Sequence, residues 1–352
     1  MKNLKNIFIT LAFLGLFACN TEIDFEGEIT SSMLVINSFI TPDSVIKVHV
    51  SKSKFFLKDD NQFDVVDNAT VNLWVNNIQK ETLIKQGNGY YISNYKPMIG
   101  DIIKITAKNA IFSEVDCSVE IMDSTTILSF DTIRNLINES LIINYNSDKY
   151  GKMVVDTVGK YKNEKLDIVI QFQDNPQISN YYRMVATRRM YFDDGKFFDE
   201  NFYLSSDDIV FGDNSTTSII GENGNNSSFL EFSDEYFSGQ KYAVRFYSYL
   251  NGMEYFAGKE PKKDDGGTVG TVKIIKTDLI LNLQTISKSY YLFLKSLSAN
   301  SSVIEFFSEP VQIHSNVNGG IGILGSYTSS FFKFQIPISD SMYGGYGGYK
   351  KY

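Results

Sequence analysis

Residues 45–56 read VIKVHVSKSKFF, and this stretch decides the fold class because polar and apolar residues alternate along it. Ile46, Val48 and Val50 fall on one side of an extended chain, and the residues between them fall on the other. The first side is wholly apolar, while the second carries Lys47 and His49. A two-residue period of this kind predicts a β-strand that buries one face and exposes the other.

The same alternation continues on both sides of this stretch, from residue 33 to residue 122. Turn-forming sequences such as Asn-Asn and Gly-Asn-Gly separate the strand-like segments. Short strands at such spacing predict an antiparallel β-sandwich over residues 32–123. Within it, Cys117 alternates with Val115 and Val119, so we expect its thiol to be buried and inert rather than a nucleophile.

Residues 124–338 form a second and longer run of strand patterns. Segments such as KLDIVIQFQD, NYYRMVATRRMYF and TDLILNLQTI are rich in β-branched and aromatic residues. One short amphipathic helix is expected in SKSYYLFLKSL, with Ser287 as its cap. Its apolar stripe would consist of Tyr290, Tyr291, Leu294 and Leu297. The chain is therefore predicted to be all-β, with two β-sandwich-like domains, of which the second is larger and carries this helix.

The N-terminus carries a separate signal. Lys2 and Lys5 precede an apolar run that is too short to span a membrane, so residues 1–18 predict a signal peptide. Leu16-Phe17-Ala18-Cys19 resembles the lipobox of bacterial lipoproteins, which implies cleavage before Cys19 and attachment of membrane lipid to its thiol. An ordinary secretory signal with a chance cysteine is the alternative. Residues 19–31 predict an acidic linker, and such a stretch resembles a surface-export signal of Bacteroidota lipoproteins.

Two further resemblances concern the folded part. Residues 66–109, which begin VDNATVNLWV and continue through GNGYYISNYKPMIGDIIKI, resemble the small sandwich domains of the transthyretin and carboxypeptidase-regulatory type. Such domains are spacers and docking modules. SKSYYLFLKSLSANSS, followed by SEPV and SNVNGGIGILGSY, resembles the C-terminal signature of a family of Bacteroidota lipoproteins, domain-of-unknown-function family four-two-four-nine. MLVINSFIT near the N-terminus also fits, so the resemblance covers essentially the whole chain. Members are usually encoded beside TonB-dependent outer-membrane receptors, which implies an accessory role in uptake.

Composition and motifs argue against several functional classes. The 352-residue chain has a net charge of −8, and it lacks the basic stripe that nucleic-acid binding requires. Its two histidines, His49 and His314, and the absence of an H-E-x-x-H sequence argue against zinc, so we expect no metal and no cofactor. Pairs of acidic residues lack the spacing of a calcium loop, and solvated loops are favoured for them. These pairs are at residues 193–194, 199–200, 207–208 and 264–265.

The glycine-dense segment SNVNGGIGILGSY, residues 315–327, invites comparison with a phosphate-binding loop. It lacks the Gly-Lys-Ser/Thr ending and the strand–loop–helix setting of such a loop. We therefore expect Gly319, Gly320 and Gly322 to serve backbone geometry, close to the helix stripe. If φ is positive at Gly320, alanine at that position would be strained.

Exposed aromatic residues provide the candidate contact surface. NYYRMVATRRMYF places aromatic rings beside three arginines, and one face of this strand could stack on sugars, peptides or a partner surface. The alternative is that these rings belong to the sandwich core. The candidate contacts are Tyr181, Tyr182, Arg183, Arg188, Arg189, Tyr191 and, beside the glycine segment, His314. Residues 339–352, which end in MYGGYGGYKKY, predict a flexible tail.

These patterns favour a lipid-anchored outer-membrane protein that faces the cell surface. It would act without catalysis as the accessory of a TonB-dependent receptor, with an oligosaccharide or a peptide as a candidate ligand. A structural subunit of an envelope assembly, with no ligand of its own, is the alternative. An enzyme of unrecognised type, such as a hydrolase, comes third because no G-x-S-x-G or other catalytic set is recognisable.

Overall fold

The computed structural model of the chain describes residues 31–54, 64–211, 229–256, 274–301 and 312–336. Strands dominate these residues, which confirms the all-β prediction. In chain order the strands are β1 (Leu34–Ile40), β2 (Lys47–Lys52), β3 (Thr70–Val75), β4 (Ile78–Thr82), β5 (Ile84–Gly87), β6 (Tyr90–Ile92), β7 (Ile102–Lys108), β8 (Val115–Glu120), β9 (Ile127–Ser147), β10 (Met153–Gln173), β11 (Tyr181–Phe192), β12 (Phe197–Asn201), β13 (Phe229–Ser233), β14 (Lys241–Tyr255), β15 (Ile274–Ile286) and β16 (Ile321–Ile336). A 3₁₀ turn (Ile209–Phe211) and helix α1 (Lys288–Ser301) accompany them. Among the residues that the structure describes, no helix is both long enough and apolar enough to span a membrane.

Strand β2 has the two faces that its alternation predicted. Ile46, Val48 and Val50 are buried, whereas Val45 just before the strand is 38% exposed. On the outer face, the imidazole of His49 packs against the ring of Tyr90, with 4.7 Å between the ring centroids. Burial of three β-branched side chains on one face gives this strand its place in the core.

Two sandwiches share one large sheet. Its strand order is β12-β11-β15-β16-β1-β2-β6-β5, with β13 also paired to β11. A four-stranded sheet, β4-β3-β7-β8, packs on the half that contains β1 and β2. A three-stranded sheet, β14-β10-β9, packs on the half that contains β11 and β15. Two separate apolar cores result, one under each half of the shared sheet.

Strand β16 joins the two halves. It pairs with β1 in parallel, with Ile36 opposite Gly322, and with β15 in antiparallel register. Val317 and Leu324 accordingly pack in the N-terminal core. The boundary that we predicted at residue 123 therefore divides the chain but not the sheet, because the last strand of the second region completes the sheet of the first.

The close approach of β1 and β16 accounts for the glycine-dense segment. The φ angle is +73° at Gly319 and +117° at Gly322, and Gly320 is not among the glycines with positive φ. A Cβ atom at Gly320 would lie 2.6 Å from the carbonyl oxygen of Leu34, and one at Gly322 would lie within 3.0 Å of the backbone nitrogen of Ile36. The expected backbone role is confirmed, but at Gly320 its cause is close packing rather than a positive φ.

Helix α1 packs on the shared sheet beside β16. Tyr290 and Leu294 are buried, as the stripe predicted, whereas Leu297 is 41% exposed and does not belong to the buried face. Ser287 immediately precedes the helix, and its hydroxyl accepts a hydrogen bond from the backbone N–H of Ser326 at 3.1 Å. This bond fastens the start of the helix to β16.

Candidate functional site

Strand β11 carries six of the seven candidate contact residues, and its alternation divides them between two faces. Tyr182 points into the core, where its side chain is fully buried and its hydroxyl donates to the carboxylate of Asp174. Burial raises the pKa of Tyr182, and the neighbouring carboxylate raises it further. Tyr182 is therefore a core residue and not a surface contact. This agrees with the alternative interpretation, in which the aromatic rings of β11 belong to the sandwich core.

The two adjacent arginines of β11 are held by acidic residues of β12. Arg189 binds Asp199 through two hydrogen bonds, of 2.6 Å from Nε and 2.7 Å from Nη2, and Arg188 contacts Glu200. The guanidinium of Arg189 lowers the pKa of Asp199 and lies 4.4 Å from the ring centroid of Phe197. This acidic pair, predicted to lie in a solvated loop, is part of a strand instead, because the register of the β11–β12 pair places it opposite the arginines.

A cluster of lysines surrounds Tyr191 on the outer face of the shared sheet. The Tyr191 hydroxyl accepts a hydrogen bond from Lys333 at 3.1 Å, and the ammonium of Lys276 lies 5.0 Å from its ring centroid. Both ammonium groups contact the same carboxylate oxygen of Asp278, at 2.8 Å from Lys333 and 3.0 Å from Lys276. We refer to Tyr191, Lys276, Asp278 and Lys333 as the lysine–tyrosine cluster.

The lysine–tyrosine cluster has more positive than negative charge. The Asp278 side chain is only 2% exposed, whereas those of Lys276 and Lys333 are 43% and 48% exposed. Burial alone would raise the pKa of Asp278, but the ammonium groups of Lys333 and Lys276 outweigh burial and hold the pKa below its usual range. Two partly exposed cations share one buried anion, in a chain whose net charge is −8.

The other end of the same face lies under helix α1. The ring of Tyr181 packs against Tyr291 of the helix, with 4.8 Å between the centroids. The Arg183 guanidinium lies 5.6 Å from the ring centroid of Tyr290 and donates to the hydroxyl of that tyrosine. Tyr181 and Arg183 are thus half-buried contacts between the sheet and the helix.

The remaining sequence candidates lie apart from this face. The backbone N–H of His314 donates to the hydroxyl of Ser296 at 2.9 Å, which ties the segment before β16 to helix α1. Cys117 is buried as predicted, and burial raises the pKa of its thiol to about 12. Among the residues that the structure describes, no three His, Cys, Asp or Glu side chains converge as metal ligands would. Cys19, the pair at 264–265 and the tail at 339–352 lie outside the described residues.

A polar groove of about 300 Å³ opens where β10 ends and β11 begins. Its buried carboxylate, Asp174, accepts hydrogen bonds from Tyr182 and from the backbone N–H of Gly239, the latter at 2.6 Å. The side-chain amide of Asn180 donates to two backbone carbonyls at 2.9 Å. These groups of the groove are therefore used in holding the surrounding loops together.

A long run of exposed apolar side chains belongs to β9 and β10, which pair along their whole length as one ribbon. Strand β14 supports this ribbon only as far as Gly159 of β10. Residues 143–157, the ribbon tip, therefore have no third strand within the described part of the chain. Eleven apolar residues of the ribbon are between 42% and 80% exposed: Leu128, Ile133, Leu136, Ile137, Leu141, Ile143, Tyr145, Tyr150, Met153, Val154 and Val155.

Sequence reasoning missed this ribbon. Residues 127–147 do not alternate strictly, because register shifts leave Leu128 and Ile137 without a partner on β10. A turn signal was nevertheless present in the sequence, where Ser-Asp-Lys-Tyr-Gly occupies residues 147–151. In the structure Gly151 adopts a φ of +78°, and the N–H of Asp148 donates to the carbonyl of Lys152 at 2.8 Å. A turn between two apolar segments is the pattern that could have revealed the hairpin.

One family model matches the chain over most of its length. It is described as a domain of unknown function, DUF4249, and it matches residues 20–331. The chain belongs to this family. The match extends from the predicted linker into β16 and includes the ribbon and, of the lysine–tyrosine cluster, every member except Lys333. No curated protein matches the chain, and no solved structure does.

Proposed function

We propose that this DUF4249 protein is a non-catalytic accessory protein of the outer membrane. It is anchored by lipid on Cys19, faces the cell surface, and binds a TonB-dependent receptor together with an oligosaccharide or peptide nutrient. The ribbon carries this proposal. Contiguous apolar surface of this kind marks sites of protein interaction, because leaving it in water is unfavourable.

The size of the exposed surface fits a specific interaction. Full burial of an aliphatic side chain contributes about 1.5–3 kcal/mol, so covering one that is half exposed contributes roughly half of that. If a partner covered six of the eleven exposed apolar residues of the ribbon, their burial would contribute about 5–9 kcal/mol in total. This lies within the range of about 4–15 kcal/mol that association costs in lost freedom of motion. The ribbon can therefore supply much of the free energy that holds a partner.

The outer face of the shared sheet offers a second surface for the nutrient. On this face Arg189 already binds a carboxylate, and Tyr181 and Arg183 contact helix α1. Arg188 alternates onto the opposite face with Tyr182 and binds Glu200 there. Of the predicted contacts on this face, Tyr191 therefore has the strongest case, together with the lysines of its cluster. Partly exposed ammonium groups beside an aromatic ring suit a ligand with a carboxylate group, such as a peptide or an acidic sugar.

Affinity purification of the tagged, lipidated chain from native outer membrane tests the proposal. We expect one TonB-dependent barrel receptor to co-purify in a fixed ratio, as identified by mass spectrometry. Cys19→Ala is the control, since the folded part is unchanged but the chain should leave the membrane fraction. Recovery of a multiprotein envelope assembly without a receptor would refute the proposal and favour the structural alternative.

A further inference from the structure

The ribbon tip, residues 143–157, has one apolar face. Tyr145 lies opposite Val155, and Ser147 lies opposite Met153. Residues that face each other in an antiparallel pair project to the same side, and Ile143 shares this side because it is two residues from Tyr145. The four apolar residues among these five are between 42% and 67% exposed.

The opposite face of the ribbon tip is mainly polar. Asn144 lies opposite Asp156, and Asn146 lies opposite Val154. The turn between the strands adds Asp148, Lys149 and Lys152. The tip therefore has two acidic and two basic residues, whose charges cancel, next to an apolar centre. An apolar centre with a polar, charged rim is the usual composition of a protein–protein interface.

Within the part of the chain that the structure describes, no third strand runs beside the ribbon tip. The last residue of β10 that pairs with β14 is Gly159, and the paired residues continue to Met153. At about 3.4 Å per residue, the tip reaches roughly 20 Å beyond the third strand. A two-stranded hairpin is only marginally stable in water, so contact with another surface would stabilise it.

We propose that the ribbon tip inserts, apolar face first, into a concave and uncharged surface of a partner protein. This rests on the proposed function, in which the partner is the receptor, and names the contact that the chain makes with it. A membrane is disfavoured because unpaired strand edges are not tolerated in hydrocarbon and because the cancelled charges give no attraction to anionic lipid. A second copy is disfavoured because it would present another protrusion rather than a cavity.

Substitutions on the two faces of the ribbon tip distinguish loss of the proposed contact from a general loss of stability. Tyr145→Asp and Val155→Asp place a charge on the apolar face, whereas Asn146→Asp, the matched control, places the same charge on the opposite, polar face of the strand that carries Tyr145. Tyr145 and Val155 are 65% and 57% exposed, and Asn146 is exposed as well, so all three variants should melt at the wild-type temperature. In purification from outer membrane, we expect the two apolar-face variants to lose about tenfold or more of the receptor per tagged chain. The control should lose at most about twofold.

Each other outcome has a definite meaning. If all variants retain the receptor equally, the docking inference is wrong while the proposed function stands. If the wild type recovers no receptor, both are wrong. Two further experiments use the unlipidated chain. Sedimentation measures whether it forms a dimer, and a second assay measures its binding to vesicles of phosphatidylethanolamine and phosphatidylglycerol. A dimer that Tyr145→Asp dissociates would replace the inference with self-association, and vesicle binding that this substitution abolishes would replace it with membrane contact.

Discussion

Gly322→Ala should destabilise both halves of the protein, because Gly322 lies where β16 pairs with β1. Its φ of +117° is strained for any residue with a side chain, which costs about 1–3 kcal/mol. The added methyl would lie within 3.0 Å of the backbone nitrogen of Ile36, and overpacking of that kind costs about 1–3 kcal/mol more. We therefore expect a loss of about 2–6 kcal/mol, a large part of the 5–15 kcal/mol typical of a folded domain.

The control for this substitution is Gly87→Ala. Gly87 has a φ of +93°, but nothing lies within 4 Å of the position of its Cβ atom, so alanine there costs only the backbone strain. Denaturation in urea can be followed by the fluorescence of Trp74, the single tryptophan, which lies on β3 in the N-terminal sandwich. If Gly322→Ala leaves the urea midpoint of the Trp74 fluorescence change unchanged, or lowers it no more than Gly87→Ala does, this prediction is refuted. The pairing of β16 with β1 would then not stabilise the N-terminal sandwich.

Three further predictions follow from single residues. Cys19→Ala should move the protein from the membrane fraction to the soluble fraction, as fractionation and blotting would show, and retention in the membrane at the wild-type level would contradict lipid anchoring. Cys117→Ser should lower the free energy of unfolding by about 1–3 kcal/mol, because the hydroxyl is buried. With a thiol pKa of about 12, native Cys117 should also resist bulky thiol reagents at pH 8, and rapid modification would show that it is accessible. Since the pKa of Asp278 lies below its usual value, its contacts with Lys276 and Lys333 stabilise the fold at neutral pH and are lost as pH falls below about 4. The stabilities of wild type and Asp278→Asn should therefore differ at pH 7 and converge in acid, and a constant difference across this range would refute the role of the ion pairs.

Local patterns determined much of the fold. The alternation in 45–56 correctly predicted which side of β2 is buried, and the same argument correctly placed Cys117 in the core. Helix α1 and the structural use of the glycines were also predictable, because a helix stripe and a glycine-dense strand are properties of neighbouring residues. Such signals depend on the period of the backbone, which is the same in any fold.

The partners of each strand were decided only by the tertiary structure. The two-residue alternation of side chains predicts that β1 and β16 are strands. It does not show that these two strands, which lie near opposite ends of the sequence, pair in parallel and join two predicted domains into one sheet. The same limit applies to β11, where register with β12 and β15 determines that Arg189 meets Asp199 while Tyr191 meets two lysines. The ribbon was hidden for a related reason, since register shifts at Leu128 and Ile137 interrupt the alternation. Pairing over long sequence distances depends on how whole faces fit together, and no short stretch of sequence contains that information.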